Sequence, residues 1–266
     1  MNHRNTLNKY WQTIVIVSTG SLHDSHWGLV AGFALRLLRV VILISLWRMV
    51  ISGSEAVSGM SLEAVMTYTL IAEIFANQMS IRTALSDTLW QGIIANRLLR
   101  PIGIYGQFLA EMIGDWIPAL VLHSLPLFLI APLLGVEVGP ANWMAGLWFG
   151  LSITLGIAVG DALDVLFTGC MVFLEQSVHA LTQIRDAVSV LLLGAVIPLA
   201  LFPWHIGDVI TWLPFASLAS APLRIYTGTG DPHFLIALQA GWAVVLWPLA
   251  HALWCHNRER LVSHGG

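Results

Sequence analysis

Long apolar runs alternate with short polar breaks along this chain. Six of them read as membrane-crossing helices, at residues 33–51, 62–78, 104–134, 142–173, 187–202 and 234–254. A helix needs about 20 mostly apolar residues to cross the roughly 30 Å hydrocarbon layer. The third and fourth runs exceed that, so part of each is expected to project beyond the layer or lie along it. Pro118 and Pro126 mark where the third should tilt or break. Ahead of the first run, LNKYWQTIVIVSTGSLHD mixes apolar, aromatic and polar residues, a pattern that predicts an interfacial helix within an N-terminal segment 1–32. Between the fifth and sixth runs, PWHIGDVITWLPFASLASAPLRIYTGTGD (within 203–233) suits short re-entrant helices on the outer side, with Trp204, Trp212 and Tyr226 at the interface. Non-helical backbone at that depth must be covered by protein.

Composition turns this pattern into a class. The 266 residues are 57% hydrophobic and 10% charged, with a mean hydropathy of +0.77. Soluble domains are about a quarter charged. The expected fold is an all-α membrane protein of six transmembrane helices, a single domain over 1–266. The net charge of −3 points to no nucleic-acid partner. Cys170 and Cys255 sit in apolar runs and read as small core residues rather than a disulfide framework. The N-terminal stretch TIVIVSTG is short, has polar flanks and lacks an A-x-A cleavage site, so no signal peptide is expected. With the N-terminus inside, Arg4, Lys9, Arg36, Arg39, Arg82, Arg97, Arg100, Arg185, Arg258 and Arg260 fall on the cytoplasmic side, and only Arg48 and Arg224 outside. That asymmetry favours both termini in the cytoplasm.

Candidate chemistry is sparse. No G-x-x-x-x-G-K-[ST] phosphate loop occurs, so the sequence offers no cradle for ATP. The histidines are scattered and read as isolated, with structural or polar-contact roles for His123 and His251. Intramembrane acids are costly and point to function by default. Asp161 and Asp164 lie three apart on one helix face, and could form a cation or proton site or be wetted near the cytoplasmic end. Glu111 and Asp115 follow shortly after Arg97 and Arg100, which predicts a salt bridge at the inner interface.

The inner segment 79–103 contains LWQGIIANRLLRP, too short and charged to cross and too apolar for an ordinary loop. Ser86 can cap a short helix, Asp87 favours its positive end, and Pro101 stops it. Such a helix, with Trp90 on its apolar side and Arg97 and Arg100 near phosphate or an acidic partner, reads as a docking surface.

These residues resemble the permeases of ABC-2 type exporters. The likeness rests on an ordered set: LWRMVISG; DTLWQGIIANRLLRPIGIYGQFLAEMIGD; GAVIPLALFPWHIGDVITWLPFASLASAPLRIYTG; and the closing RERLVSHGG. In the inner loop, Trp90, Gly92, Arg97, Leu98, Leu99, Arg100 and Pro101 would couple to an ATPase. The later signature is carried by Gly194, Pro198, Phe202, Pro203, Pro214, Phe215, Pro222 and Gly228, of which the last six would form an outer gate. The resemblance implies a permease driven by a separate ABC-type ATP-binding subunit, which would hold the ATP and Mg, and paired with a second permease, the same chain or a related one. It also implies an amphipathic or apolar substrate and a bacterial cytoplasmic membrane. A rival reading is a proton-coupled secondary transporter working through Asp161 and Asp164; it calls for an internal repeat of spans, and none is evident.

Overall fold

The computed structural model describes residues 3–23, 26–51, 60–79, 103–174 and 178–263, together with Leu85, Thr88, Asn96, Arg97, Leu99 and Arg100. It is all-helical, 84% helix, with no strand among the described residues. Four helices are long and apolar enough to cross a membrane: Trp27–Ile51, Ile104–Leu134, Trp143–Met171 and Pro232–His256. The expected second and fifth spans are the two that fall short.

The second is α3 (Leu62–Ile74), following α1 (His3–His23) and α2 (His26–Ile51). Ser61 caps α3 by accepting from the Ala64 amide at 3.2 Å. The helix is interrupted at Phe75, after which α4 (Ala76–Met79) adds a single turn. Thirteen residues rise about 20 Å, well under a bilayer. Every residue from Val65 to Ile74 is buried. Protein, not lipid, covers it. Trp47 of α2 donates to Thr69 at 3.0 Å, Thr67 to the Glu137 carbonyl at 2.8 Å, Ser124 to the Ile74 carbonyl at 2.6 Å and Tyr68 to the Gly194 carbonyl at 2.7 Å. Four separate segments therefore hang on this one helix.

The third apolar run breaks near its prolines. It comprises α5 (Ile104–Ala119), a π turn (Leu120–Ser124), α6 (Leu125–Ile130) and a 3-10 turn (Ala131–Leu134). Pro118 sits just before the π turn and Pro126 just after it, where each missing N–H loosens the ladder. The N-terminal α1 packs lengthwise and parallel against α5. Tyr10 lies against Gly106, Val17 against Gly114, and Ser21 donates to Asp115 at 2.9 Å. Next, α2 takes over along the upper half, with His123 Nε2 3.1 Å from the Leu29 carbonyl and Arg48 donating to the Leu134 carbonyl at 2.5 Å.

The centre of the bundle is α7 (Trp143–Leu174) against α11 (Pro232–Ser263), running parallel. Trp148 meets His233, Ser152 meets Gln239, and Val165 shares a buried cluster with Ala250 and Trp254. These contacts define two ends. Val138, Ala141, Tyr226 and His233 mark a loop end; Leu85, Ile104, Val165 and Trp254 mark a base end.

The expected fifth span is α8 (Val178–Leu192), which stops ten residues early. Gly194 takes a left-handed φ of +68°, where an added Cβ would press into Leu199. Pro198 then opens a single 3-10 turn, Leu199–Leu201. The chain continues as α9 (Ile206–Thr211), a 3-10 turn (Pro214–Ser217) and α10 (Ser220–Tyr226). From Ala216 to Ile225 all are buried except Arg224. Cys170 and Cys255 are both exposed on the bundle surface, not core.

Candidate functional site

Three places bring chemistry together. At the base end, Arg97 forms an ion pair with Glu111 of α5, and its guanidinium lies 5.2 Å from the Phe108 ring. Arg100 stands 3.9 Å from the same carboxylate, and Gln107 donates to the Arg97 carbonyl at 3.0 Å. The expected salt bridge is therefore present for Glu111, whereas Asp115 turns to Ser21 of α1. Leu99 and Arg100 are exposed beside this anchor. Trp90, Gly92, Leu98 and Pro101 lie outside the described residues.

At the loop end lies an open cavity of about 840 Å³. Met60, Phe202, Pro203, Asp208, Arg224 and Thr229 are among its walls. Two of the expected gate residues, Phe202 and Pro203, thus face it. Pro214 starts a 3-10 turn behind it, Phe215 rests 6.3 Å from the Phe167 ring on α7, and Pro222 is buried within α10. Gly228 makes the turn that closes α10, with φ of +69° and Ala141 where a Cβ would go. Trp204 and His205 lie on the cavity rim in left-handed backbone, φ 57° and 58°, a conformation that costs non-glycine residues. His205 Nδ1 is 3.0 Å from Asp208 Oδ2.

The third place is the acid pair on α7. Asp164 is not a free acid. It is buried and bonded to Arg185 of α8 at 2.5 Å, and Arg185 Nε is also 3.5 Å from Asp186. Asp161, one turn earlier, faces a cavity of about 140 Å³ instead. The two carboxylates therefore have separate fates, and a joint proton site on them gains no support. In sequence, Arg185 is only one of the charges expected on the cytoplasmic side; its role as the buried partner of Asp164 depends on how α8 packs against α7.

Other polar contacts are structural. Arg39 pairs with Glu73 at 3.1 Å, tying α2 to α3, and Arg36 donates to Asn77 at 2.6 Å, tying α2 to α4. Gln239 is fully buried; it accepts from Ser152 Oγ at 2.9 Å and donates to the Ser152 and Ser217 carbonyls at 3.0 and 2.7 Å. His251 is less isolated than it reads, since Cys255 Sγ is 3.5 Å from its Nε2 one turn on. Among the described residues no group of three or more His, Cys, Asp or Glu could hold a metal ion.

The order of these elements, from the inner-loop anchor to the closing helix, is what a family comparison can test. A family model described as ABC-2 family transporter protein matches residues 37–265. The chain belongs to the ABC-2 transporter family. It is thus a multi-pass membrane transport protein. ABC-2 permeases generally pair with an ABC-type ATP-binding subunit. A search of curated proteins finds no match to this ABC-2 protein.

Proposed function

We propose that this ABC-2 protein is the permease subunit of an ATP-driven exporter, seated in a bacterial cytoplasmic membrane with both termini inside. A separate ABC-type subunit binds ATP and Mg and docks on residues 79–103, using Trp90, Gly92, Arg97, Leu98, Leu99, Arg100 and Pro101. A second permease, identical or related, completes the pathway.

The observation that carries this reading is the anchor of Arg97 on Glu111 beside exposed Leu99 and Arg100. A force on the inner loop reaches α5 through that ion pair. From α5 it reaches α1, which is packed along it. The chain's single lysine, Lys9, follows an asparagine, so the sequence supplies no phosphate-loop lysine of its own. Orientation is supported by charge: Arg48 and Arg224 lie at the loop end, and Arg97, Arg100 and Arg185 toward the base. The loop end is then extracellular.

In the cycle, ATP closes the partner subunits, which press on the inner segment. The permease halves rock, and the loop-end cavity, with Phe202 and Pro203 on its wall and Pro214, Phe215, Pro222 and Gly228 behind it, opens outward. Substrate is amphipathic or apolar.

The test is mass spectrometry of what co-purifies with the tagged chain in mild detergent. A stoichiometric subunit bearing a phosphate-loop lysine is expected. Repeated recovery of the chain alone under gentle extraction overturns the reading.

A further inference from the structure

The 140 Å³ cavity near the base end holds two buried polar atoms whose hydrogen-bonding capacity is unused. It lies between α5, α7 and α11, walled by Tyr105, Phe108, Leu109, Asp161, Val165 and Trp247. Among the described residues neither Asp161 Oδ1 nor Tyr105 Oη has a hydrogen-bond partner. Buried polar groups are almost always satisfied, so an unsatisfied pair facing one cavity calls for an occupant. The nearest acid, Asp164, has its own cation in Arg185, and no ion pair to Asp161 is formed among the described residues. Three aromatic residues, Tyr105, Phe108 and Trp247, share the wall with the aliphatic Leu109 and Val165. Tyr105 meets Trp247 edge-on at 6.1 Å and, outside the cavity lining, Trp254 at 5.6 Å. Leu109, at the rim, is exposed on the outer face of the bundle.

A carboxylate set among aromatic rings recognises an organic ammonium: the carboxylate supplies charge, and the rings supply cation–π attraction and apolar contact. An inorganic cation would want several oxygen ligands, which this wall does not offer. Size agrees, since an apolar cavity of about 150 Å³ accommodates a benzene-sized group. The geometry points to a site for an amphipathic amine, whose ammonium head seats against Asp161 and Tyr105 while its tail leaves past Leu109. This deepens the exporter reading, and rests on it for the claim that the amine is cargo; the site itself does not need it. A soluble alkylamine or a lipid amine headgroup would present the same chemistry.

The experiment is equilibrium dialysis of N,N-dimethylhexylammonium, which keeps one N–H donor, against the full chain, purified with whatever subunits accompany it, in phosphatidylglycerol nanodiscs. Saturable binding is expected, weakened about tenfold or more by Asp161→Asn. The neutral isostere 2-methyloctane should lose nothing to that substitution. Doping the discs with phosphatidylethanolamine identifies the source: competition assigns the site to a lipid headgroup, and its absence to a soluble amine. No saturable binding, or equal binding by Asp161→Asn, overturns the proposal. If that variant fails to assemble, carbodiimide labelling of Asp161 in wild-type membranes decides: protection by N,N-dimethylhexylammonium supports the site, and no protection overturns it. The same preparation is scored for an ATP-binding subunit. Ammonium binding without that subunit removes the exporter reading and keeps the site; the subunit without ammonium binding does the reverse.

Discussion

Arg185 Nη1 lies 2.5 Å from Asp164 Oδ1, with 7% and 1% of the two side chains exposed. This contact joins α8 to α7. Breaking a buried pair on one side leaves an uncompensated charge and costs about 3–5 kcal/mol. Asp164→Asn and Arg185→Met should each destabilise by that order in detergent unfolding. The double replacement Asp164→Leu with Arg185→Met should recover most of the loss.

Gln239 satisfies three groups in a site with no water-exposed surface. In Gln239→Leu the Ser152 and Ser217 carbonyls lose this donor, at about 1–3 kcal/mol for each buried orphan. Unfolding should show a loss of about 2 kcal/mol or more, with the 3-10 turn Pro214–Ser217 becoming the most accessible to limited proteolysis.

The Arg97–Glu111 pair is expected to transmit force rather than to hold the fold. Arg97→Ala and Glu111→Gln should assemble normally with the ATP-binding subunit and retain basal ATP hydrolysis. Transport per ATP should fall in both. The charge swap Arg97→Glu with Glu111→Arg should restore coupling, and a double-mutant cycle on transport rate gives the interaction directly.

Left-handed backbone at Trp204 carries a cost of about 1–2 kcal/mol for a side chain bearing a Cβ. Trp204 is 87% exposed, so little packing offsets that cost. Trp204→Gly should therefore raise thermal stability by about 1 kcal/mol, a gain set against glycine's larger unfolded-state entropy. Equal or lower stability in thermal unfolding contradicts this account of the rim.

What could be read from the sequence divides along physical lines. Helix content, the four long spans and the break near Pro118 follow from hydropathy and the missing proline N–H. The α3 segment did not, because its ten consecutive buried residues have the same hydropathy whether lipid or protein surrounds them. Hydropathy likewise could not show that α8 ends at Leu192, since Gly194 reads as one small residue among many until its left-handed φ is known. The Arg97–Glu111 pair was legible because only 14 positions and a proline separate its members. Asp164 and Arg185 sit on different helices, and nothing local in either predicts the other. Asp161 stands out in the sequence as an intramembrane acid, but the partnership with Asp164 that the spacing suggests gives way to the Asp164–Arg185 pair.

The N-terminal chain follows α5 and α6 in two stages. α1 gives way to α2 between His23 and His26, and α5 gives way to α6 through the π turn Leu120–Ser124. The Ser21–Asp115 and His123–Leu29 contacts bracket both junctions, so they lie level with each other. The molecule is in this sense two-storeyed: α1 and α5 form a lower floor, α2 and α6 an upper one, and the staircase between them turns on a single landing.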